Sequence, residues 1–201
     1  MMKNLRIIIL VLLTTNCAVD RSINIISETE QQTLKTFQNF KPEHSVQLTE
    51  DNEPGEKLLL CITFINRDTK KGIANQQVHF YHTNTNGEYK PTNPNDETTA
   101  RINGTTNTNN YGQVFVKTIL PGDYGNSENN RHIHTTVFKE KPKNYDIFFN
   151  QYSGGFGKLM NSGNNQMFYA NLKKTEDNTL VSFVTIEAKE PVTKNNSKNN
   201  Q

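Results

Sequence analysis

Cysteine is scarce in this 201-residue chain, where only Cys17 and Cys61 occur. If Cys17 is lipidated or removed during export, no intrachain disulfide can form. An apolar core, together with any bound metal, must then stabilise the fold. Cys61 lies inside an apolar stretch, where a buried and unreactive thiol is more common than a nucleophile.

The chain also lacks a concentration of charge of one sign. It has 22 Lys and Arg residues against 20 Asp and Glu residues, and its formal net charge is +2. The two signs are mixed along the chain, with no basic stripe and no aromatic residues interleaved with basic ones. Proteins that bind nucleic acid usually show such a stripe. The charge pattern therefore argues against a nucleic-acid partner.

Long apolar runs are missing too, and the one near the N terminus, residues 7–13, is too short to span a bilayer as a helix. Basic Lys3 and Arg6 precede this run and small or polar residues follow it, which is typical of an export signal over residues 1–19. The segment ending at Cys17 resembles the site at which bacterial lipoproteins are cleaved and lipidated. We therefore expect a lipoprotein that faces the periplasm or the cell exterior and touches the membrane only through Cys17. A plain secretory peptide, cleaved slightly further on, is the alternative.

The length favours one domain with extended ends. Residues 20–54 are polar, with one short possible helix around residues 28–40, and we interpret them as a tether and lead-in. Residues 55–190 carry the apolar runs. Residues 191–201 are mainly Lys, Asn and Ser, which predicts a disordered tail.

Short strands separated by turn residues are the dominant pattern between these ends. About seven to nine strands without a convincing long helix predict an all-β sandwich with long connecting loops. Residues 92–110, rich in Asn and Thr, are interpreted as a long connection, which is either functional or disordered. The predicted strands are residues 58–66, 77–83, 113–119, 132–138, 147–149, 167–172 and 180–188.

His132 and His134 form the sharpest local feature of the sequence. On a strand their side chains point to the same face, while Ile133 points to the opposite one. Neutral imidazole is the commonest metal ligand in proteins, so the pair could form half of a metal site. Taken alone, such a pair is more often two surface or core histidines than a metal site.

Two tyrosines at turns extend this candidate site. Tyr124 follows the turn residues Pro121 and Gly122, and Tyr89 follows the turn at Gly87. A phenolate is a hard, anionic oxygen donor that suits ferric iron better than zinc or copper. A single tyrosine after a turn is more often a packing residue with a hydrated hydroxyl.

Taken together, four segments of the chain resemble the intradiol ring-cleavage dioxygenases, which include protocatechuate 3,4-dioxygenase and catechol 1,2-dioxygenase. The resemblance extends over residues 57–138. The combination is specific, although none of the segments would be so alone. The segments are VHFYH at residues 78–82, GEY at 87–89, TNNYGQVFVKTILPGDY at 108–124 and HIH at 132–134.

This resemblance implies a non-haem Fe(III) ion held on a β-sandwich by Tyr89, Tyr124, His132 and His134, with solvent completing the coordination sphere. It implies a small aromatic vicinal diol and O2 as substrates. The diol would displace the Tyr124 phenolate, which can take up a proton. The ring would then open between the two hydroxyl-bearing carbons to give a dicarboxylic acid, with both atoms of O2 incorporated.

The chain departs from the family pattern next to the histidines. Family members place an arginine three residues before the first histidine, where this chain has Asn129, so Arg131 becomes the candidate catalytic residue beside Tyr124. Asn150 and Gln151 are candidates for the polar residue behind the substrate. The missing arginine also supports a second hypothesis, a non-catalytic exported β-sandwich that binds iron, a catecholate, a polysaccharide or a protein. The sequence leaves the oligomeric state open.

Overall fold

The structure, a computed structural model, describes residues 21–125, 128–140, 143–154 and 166–188. The predicted signal peptide over residues 1–19, with Cys17, and the predicted tail over residues 191–201 lie outside the described residues. Within the described ranges, no helix is both long enough and apolar enough to cross a membrane.

Ten strands form two five-stranded sheets, which we call the helix-side sheet and the histidine-side sheet. The helix-side sheet has the order β1-β5-β2-β10-β9, and the histidine-side sheet has the order β4-β3-β6-β7-β8. The strands are β1 (Ser45–Gln47), β2 (Lys57–Asn66), β3 (Gln77–His82), β4 (Ile102–Asn107), β5 (Gln113–Ile119), β6 (His132–Val137), β7 (Asn144–Phe149), β8 (Met167–Ala170), β9 (Lys173–Lys174) and β10 (Leu180–Ala188).

The hydrophobic core lies between the two sheets, because alternate residues of each strand point inwards. Leu60, Ile62 and Phe64 of β2 face Phe80 and Ile133 of the opposite sheet in one cluster, and all five side chains are completely buried. The structure thus confirms the predicted all-β sandwich. Three of the strand pairs, β1 with β5, β2 with β10 and β7 with β8, are parallel.

Strand β4 corrects one prediction from the sequence. Residues 92–110 were interpreted as a connection, but Ile102–Asn107 pairs antiparallel with β3 at the edge of the histidine-side sheet. Only Ile102 and Thr106 of this strand are buried, so its composition is almost entirely polar. An edge strand with one solvated face needs few apolar residues, and this is why the segment looked like a loop.

One α-helix, α1 (Glu28–Gln38), covers the outer face of the helix-side sheet. Ser27 caps its N terminus in a capping box with Glu30. Leu34 and Phe37 are buried against a second cluster that includes Cys61. Burial raises the pKa of the Cys61 thiol to about 12, so the thiol stays protonated and unreactive at neutral pH.

Residues 20–54 therefore contain more structure than the expected tether. They supply α1, and they also supply β1, which pairs parallel with β5. The apolar side chains of α1 are few but fall on one face, three residues apart, which is enough to dock a helix. The outer face of the histidine-side sheet carries no α-helix in the described part of the chain.

We expect Phe37→Ala to reduce the free energy of unfolding by about 3 kcal/mol, because it leaves a cavity between α1 and the sheet. Tyr111→Ala is the matched control, since its side chain is 75% exposed, and it should change the stability by less than about 0.5 kcal/mol. Urea denaturation followed by circular dichroism measures both. Equal effects of the two substitutions would show that α1 does not contribute to the core.

Candidate metal centre

His132 and His134 lie side by side on the outer face of β6. Their Nε2 atoms are 3.0 Å apart, and Ile133 between them is completely buried in the core. This is the arrangement predicted from strand alternation. His132 is 9% exposed and His134 is half-buried. Solvent therefore reaches the pair mainly at His134.

The hydrogen bonds of the two Nδ1 atoms determine which nitrogen of each ring carries the proton. His132 Nδ1 donates to the carbonyl oxygen of Asn130 at 2.9 Å, and His134 Nδ1 donates to Oδ1 of Asp146 at 2.7 Å. Both acceptors lack a hydrogen of their own, so both Nε2 atoms of the neutral rings carry lone pairs. The two Nε2 atoms lie only 3.0 Å apart, so one cation could bind both of them.

Neighbouring rings hold the two imidazoles in place. Phe148 of β7 stacks on His132 with 4.8 Å between ring centroids, and Tyr81 of β3 stacks on His134 at 4.6 Å. Burial, followed by the charge of His134, lowers the pKa of His132. Burial and the nearby Asp146 carboxylate raise the pKa of Tyr81 to about 12. The first effect keeps the His132 ring neutral at physiological pH, and the second keeps the proton on the Tyr81 hydroxyl.

Tyr89 brings a phenol oxygen to the pair. Its side chain is only 7% exposed, and its Oη donates to Nε2 of His134 at 2.7 Å. Burial, followed by the charge of Glu97, raises the pKa of Tyr89. The phenol therefore keeps its proton unless a cation replaces it.

Tyr124 lies next to Tyr89 but is turned towards another partner. The two tyrosine rings pack with 5.2 Å between centroids, while the Tyr124 Oη donates to Oε1 of Glu97 at 3.2 Å. The side chain is 42% exposed. The charge of Glu97 and this hydrogen bond raise the pKa of Tyr124. Of the four predicted ligands, three are therefore in direct contact, and the fourth packs against them.

The turns that carry the two tyrosines interlock through their glycines. Gly87 has φ +78°, and a Cβ atom there would lie 2.0 Å from the carbonyl oxygen of Asp123. A Cβ on Gly122 would lie 2.4 Å from the carbonyl oxygen of Thr85. The Gly122 N–H also donates to the carbonyl of Asn84 at 2.9 Å. Only glycine permits this approach, so the turn residues that flagged the tyrosines also bring them together.

A buried histidine ties the two sheets together just before these turns. His82 ends β3, and its side chain is fully buried. Its Nδ1 donates to the carbonyl of Thr83 at 2.7 Å, and its Nε2 accepts from the hydroxyl of Thr118 on β5 at 2.6 Å. Burial lowers the pKa of His82 to about 4. The ring therefore stays neutral and joins the strand ends from which the tyrosine turns begin.

Arg131, the predicted catalytic arginine, is held by two contacts of its own. Its Nε donates to Oδ2 of Asp123 at 3.1 Å, and its guanidinium lies 4.1 Å from the centre of the Tyr152 ring. Asn129, at the position of the family arginine, accepts a hydrogen bond from Arg21. These two contacts with Asp123 and Tyr152 hold the guanidinium next to the turn that carries Tyr124.

Asn150 and Gln151 were expected to stand behind the substrate, but they bond elsewhere. Asn150 donates to the side chain of Asn171 at 2.7 Å, and Gln151 exchanges two hydrogen bonds with the backbone of Leu172. Both side chains therefore stabilise the segment that follows β8.

Two carboxylates beside the candidate ligands were missed by sequence reasoning. Asp146 of β7 is opposite His134 in the strand register, which cannot be known before the strands are paired. Glu97 begins a short 3-10 helix, Glu97–Thr99. The length of the connection over residues 92–110 was the one sequence signal that pointed to Glu97.

The donor set is consistent with a hard, highly charged cation. Among the described residues, no group of three His, Cys, Asp or Glu side chains could hold a metal ion, so a site here needs the phenols as well as the imidazoles. The two Nε2 lone pairs and the Tyr89 oxygen already converge. Because the phenols keep their protons without a cation, binding of a metal must release protons.

Comparisons with known proteins identify what the chain resembles. Residues 36–197 match the family described as "Dioxygenase". No curated protein matches the chain significantly.

Solved structures share the fold at low sequence identity. The dioxygenase domain of a dioxygenase carbohydrate-binding protein fusion from Streptomyces sp. SirexAA-E is 19% identical with a TM-score of 0.53, over 76% of this chain and 93% of that one. An intradiol ring-cleavage dioxygenase from Tetranychus urticae is also 19% identical with a TM-score of 0.53, over 75% and 89%. Catechol 1,2-dioxygenase from Acinetobacter sp. ADP1 is 18% identical with a TM-score of 0.54, over 74% and 58%. Likeness at this level of identity shows the fold.

Acidification should destabilise the protein through His82. Its pKa is about 4 in the folded chain, against an ordinary value of 6.5, so the unfolded chain takes up the proton first as the pH falls. The stability contributed by the neutral ring is complete above pH 6.5 and decreases between pH 6.5 and 4. The loss reaches about 3 kcal/mol near the lower limit.

Denaturant unfolding of the wild type and of His82→Asn at several pH values measures this loss. The variant should be less stable at neutral pH, because it loses the bond between the sheets, but its stability should fall less steeply on acidification. Parallel pH profiles would show that His82 titrates normally and is not buried in this way.

Proposed function

Because the chain belongs to the intradiol ring-cleavage dioxygenase family, we propose that it is a non-haem iron(III) dioxygenase acting on an aromatic vicinal diol. The reaction opens the ring between the two hydroxyl-bearing carbons and incorporates both atoms of O2. The observation that carries the proposal is the convergence of two imidazole lone pairs with the oxygen of Tyr89.

The proposed ligands are His132, His134, Tyr89 and Tyr124. Two phenolates offset most of the charge of a ferric ion, and two neutral imidazoles complete a mixed nitrogen and oxygen donor set. Asp146, which accepts the Nδ1 proton of His134, orients this ring and increases its basicity as a carboxylate behind a ligand histidine. Bound at these side chains, a ferric ion supplies the Lewis-acid and redox chemistry that makes a chelated diol electron-rich and open to O2.

The two tyrosines have different roles in this proposal. Tyr89 is buried and bonded to His134, so it remains a stationary ligand. Tyr124 is partly exposed, and its Oη already has a second partner in Glu97. We propose that the Tyr124 Oη, and not that of Tyr89, would take up a proton from the incoming diol and then donate to Glu97.

A binding module that retains the iron but does not catalyse turnover is the second candidate function. It is favoured by the contacts of Arg131 with Asp123 and Tyr152, which occupy the guanidinium of the candidate catalytic arginine. In either case we propose, from the sequence of residues 1–19, that the protein is exported and anchored through Cys17.

Protein reconstituted with ferric iron should be visibly coloured by the bound phenolates, the band should shift when catechol is added, and oxygen uptake should follow. Tyr89→Phe and His134→Ala should bleach the colour because each removes a ligand, whereas Cys61→Ala should leave it unchanged. Absorption spectra and an oxygen electrode are the measurements. A shifted band without oxygen uptake would favour the binding module, and a fully coloured His134→Ala protein would refute the ligand assignment.

Asp146→Asn should lower the affinity for ferric iron about tenfold or more, because the neutral amide supports His134 less well than the carboxylate does. Competition against a chelator measures the affinity, and the position of the visible band reports the altered ligand field. Asp68→Asn, on an exposed turn of the same protein, is the matched control. Equal affinities for both variants would exclude a role of Asp146 in supporting the metal.

A further inference from the structure

Glu97 is held rigidly beside the candidate ligands by the loop that carries it. The Arg101 N–H donates to the carbonyl of Tyr89 at 2.9 Å, and His79 on β3 bonds to the carbonyl of Thr98 at 3.0 Å. Asp96 caps the short helix by accepting from the Thr98 N–H at 3.0 Å. The backbone of this loop is therefore held in place, and the exposed Glu97 side chain accepts from the Tyr124 hydroxyl at 3.2 Å.

A second carboxylate, that of Asp146, lies on the other side of the candidate ligands. Asp146 lies 2.7 Å from Nδ1 of His134, and its side chain is 28% exposed. Glu97 accepts from the Oη of Tyr124 at 3.2 Å, and the Tyr124 ring packs on Tyr89 with 5.2 Å between centroids. Any ring bound at the imidazole pair would therefore experience two negative charges.

The cations nearby are occupied by other acids. Arg131 pairs with Asp123 at 3.1 Å, and Lys90 pairs with Glu88 at 2.9 Å. Arg101 pairs with Glu53 at 2.6 Å. Within the residues that the structure describes, Glu97 pairs with no lysine or arginine, and the same is true of Asp146.

We propose that Glu97 is a specificity-determining residue that rejects diols with an acidic ring substituent, so that the substrate is a vicinal diol whose other substituents are uncharged. This inference rests on the proposed function. An acidic substituent would bring a third negative charge into a partly desolvated site, where like charges repel more strongly than in water. The acidic substituent could pair with Arg131 only if Arg131 gave up its contacts with Asp123 and Tyr152.

Two ligands of nearly equal size test the proposal, 3,4-dihydroxybenzoate and its neutral amide, 3,4-dihydroxybenzamide. Each is titrated into iron-loaded protein, and the shift of the visible band gives its dissociation constant. The two ligands also differ in the acidity of their hydroxyls, but this difference is the same in every variant, so a change in the ratio between the wild type and Glu97→Gln isolates the effect of the Glu97 charge. The wild type should bind the amide more tightly, and added salt should reduce the difference.

Glu97→Gln should improve the relative binding of the benzoate about fivefold, as expected for the loss of one nearby charge at the effective dielectric constant of a protein surface. The glutamine retains an oxygen that can accept from Tyr124, so a purely structural role of Glu97 would leave the ratio unchanged. Glu176→Gln, on the helix-side sheet, is the matched control and should also leave the ratio unchanged.

The outcomes separate the two proposals. If both ligands shift the band but Glu97→Gln has the same ratio as the wild type, Glu97 does not determine specificity and the proposed function still stands. If neither ligand shifts the band of the iron-loaded wild type, the proposed function is wrong, and the inference about Glu97 is wrong with it.

Discussion

The close approach of two imidazole nitrogens is the constraint on which the candidate site depends. The carbonyl of Asn130 and the carboxylate of Asp146 each accept from an Nδ1 atom, which leaves the two Nε2 atoms 3.0 Å apart as acceptors. Stacked rings on either side prevent the imidazoles from turning away. Tyr89 donates to the Nε2 of His134, and a cation would bind both Nε2 atoms at once.

The sandwich separates stability from chemistry by giving each outer face a different role. On the helix-side sheet, α1 closes the outer face and buries Leu34 and Phe37. On the histidine-side sheet, the outer face carries the imidazoles and their stacked neighbours. This separation explains why the fold is recognisable in relatives of 11–19% identity, while the function has to be argued from the site itself.

Local sequence was sufficient for the parts of the site that depend on local geometry. Strand alternation placed His132 and His134 on one face, and the turn glycines marked Tyr89 and Tyr124. Asp146 and Glu97 could not be found in this way, because the first depends on strand pairing and the second on how a connection folds back. Strand β4 was missed because its pairing to β3 is made by backbone groups, which leave no apolar pattern in the sequence.

The interlocked turns at Gly87 and Gly122 have a consequence for protein engineering. Each turn fills the space that a side chain would need on the other. The two turns therefore form one structural unit, although the 34 residues from 88 to 121 lie between their glycines in the chain. A loop exchange that transplants the Tyr89 turn from a relative must therefore bring the matching Tyr124 turn with it. Chimeras that exchange only one of the two turns would combine two backbones that do not fit each other.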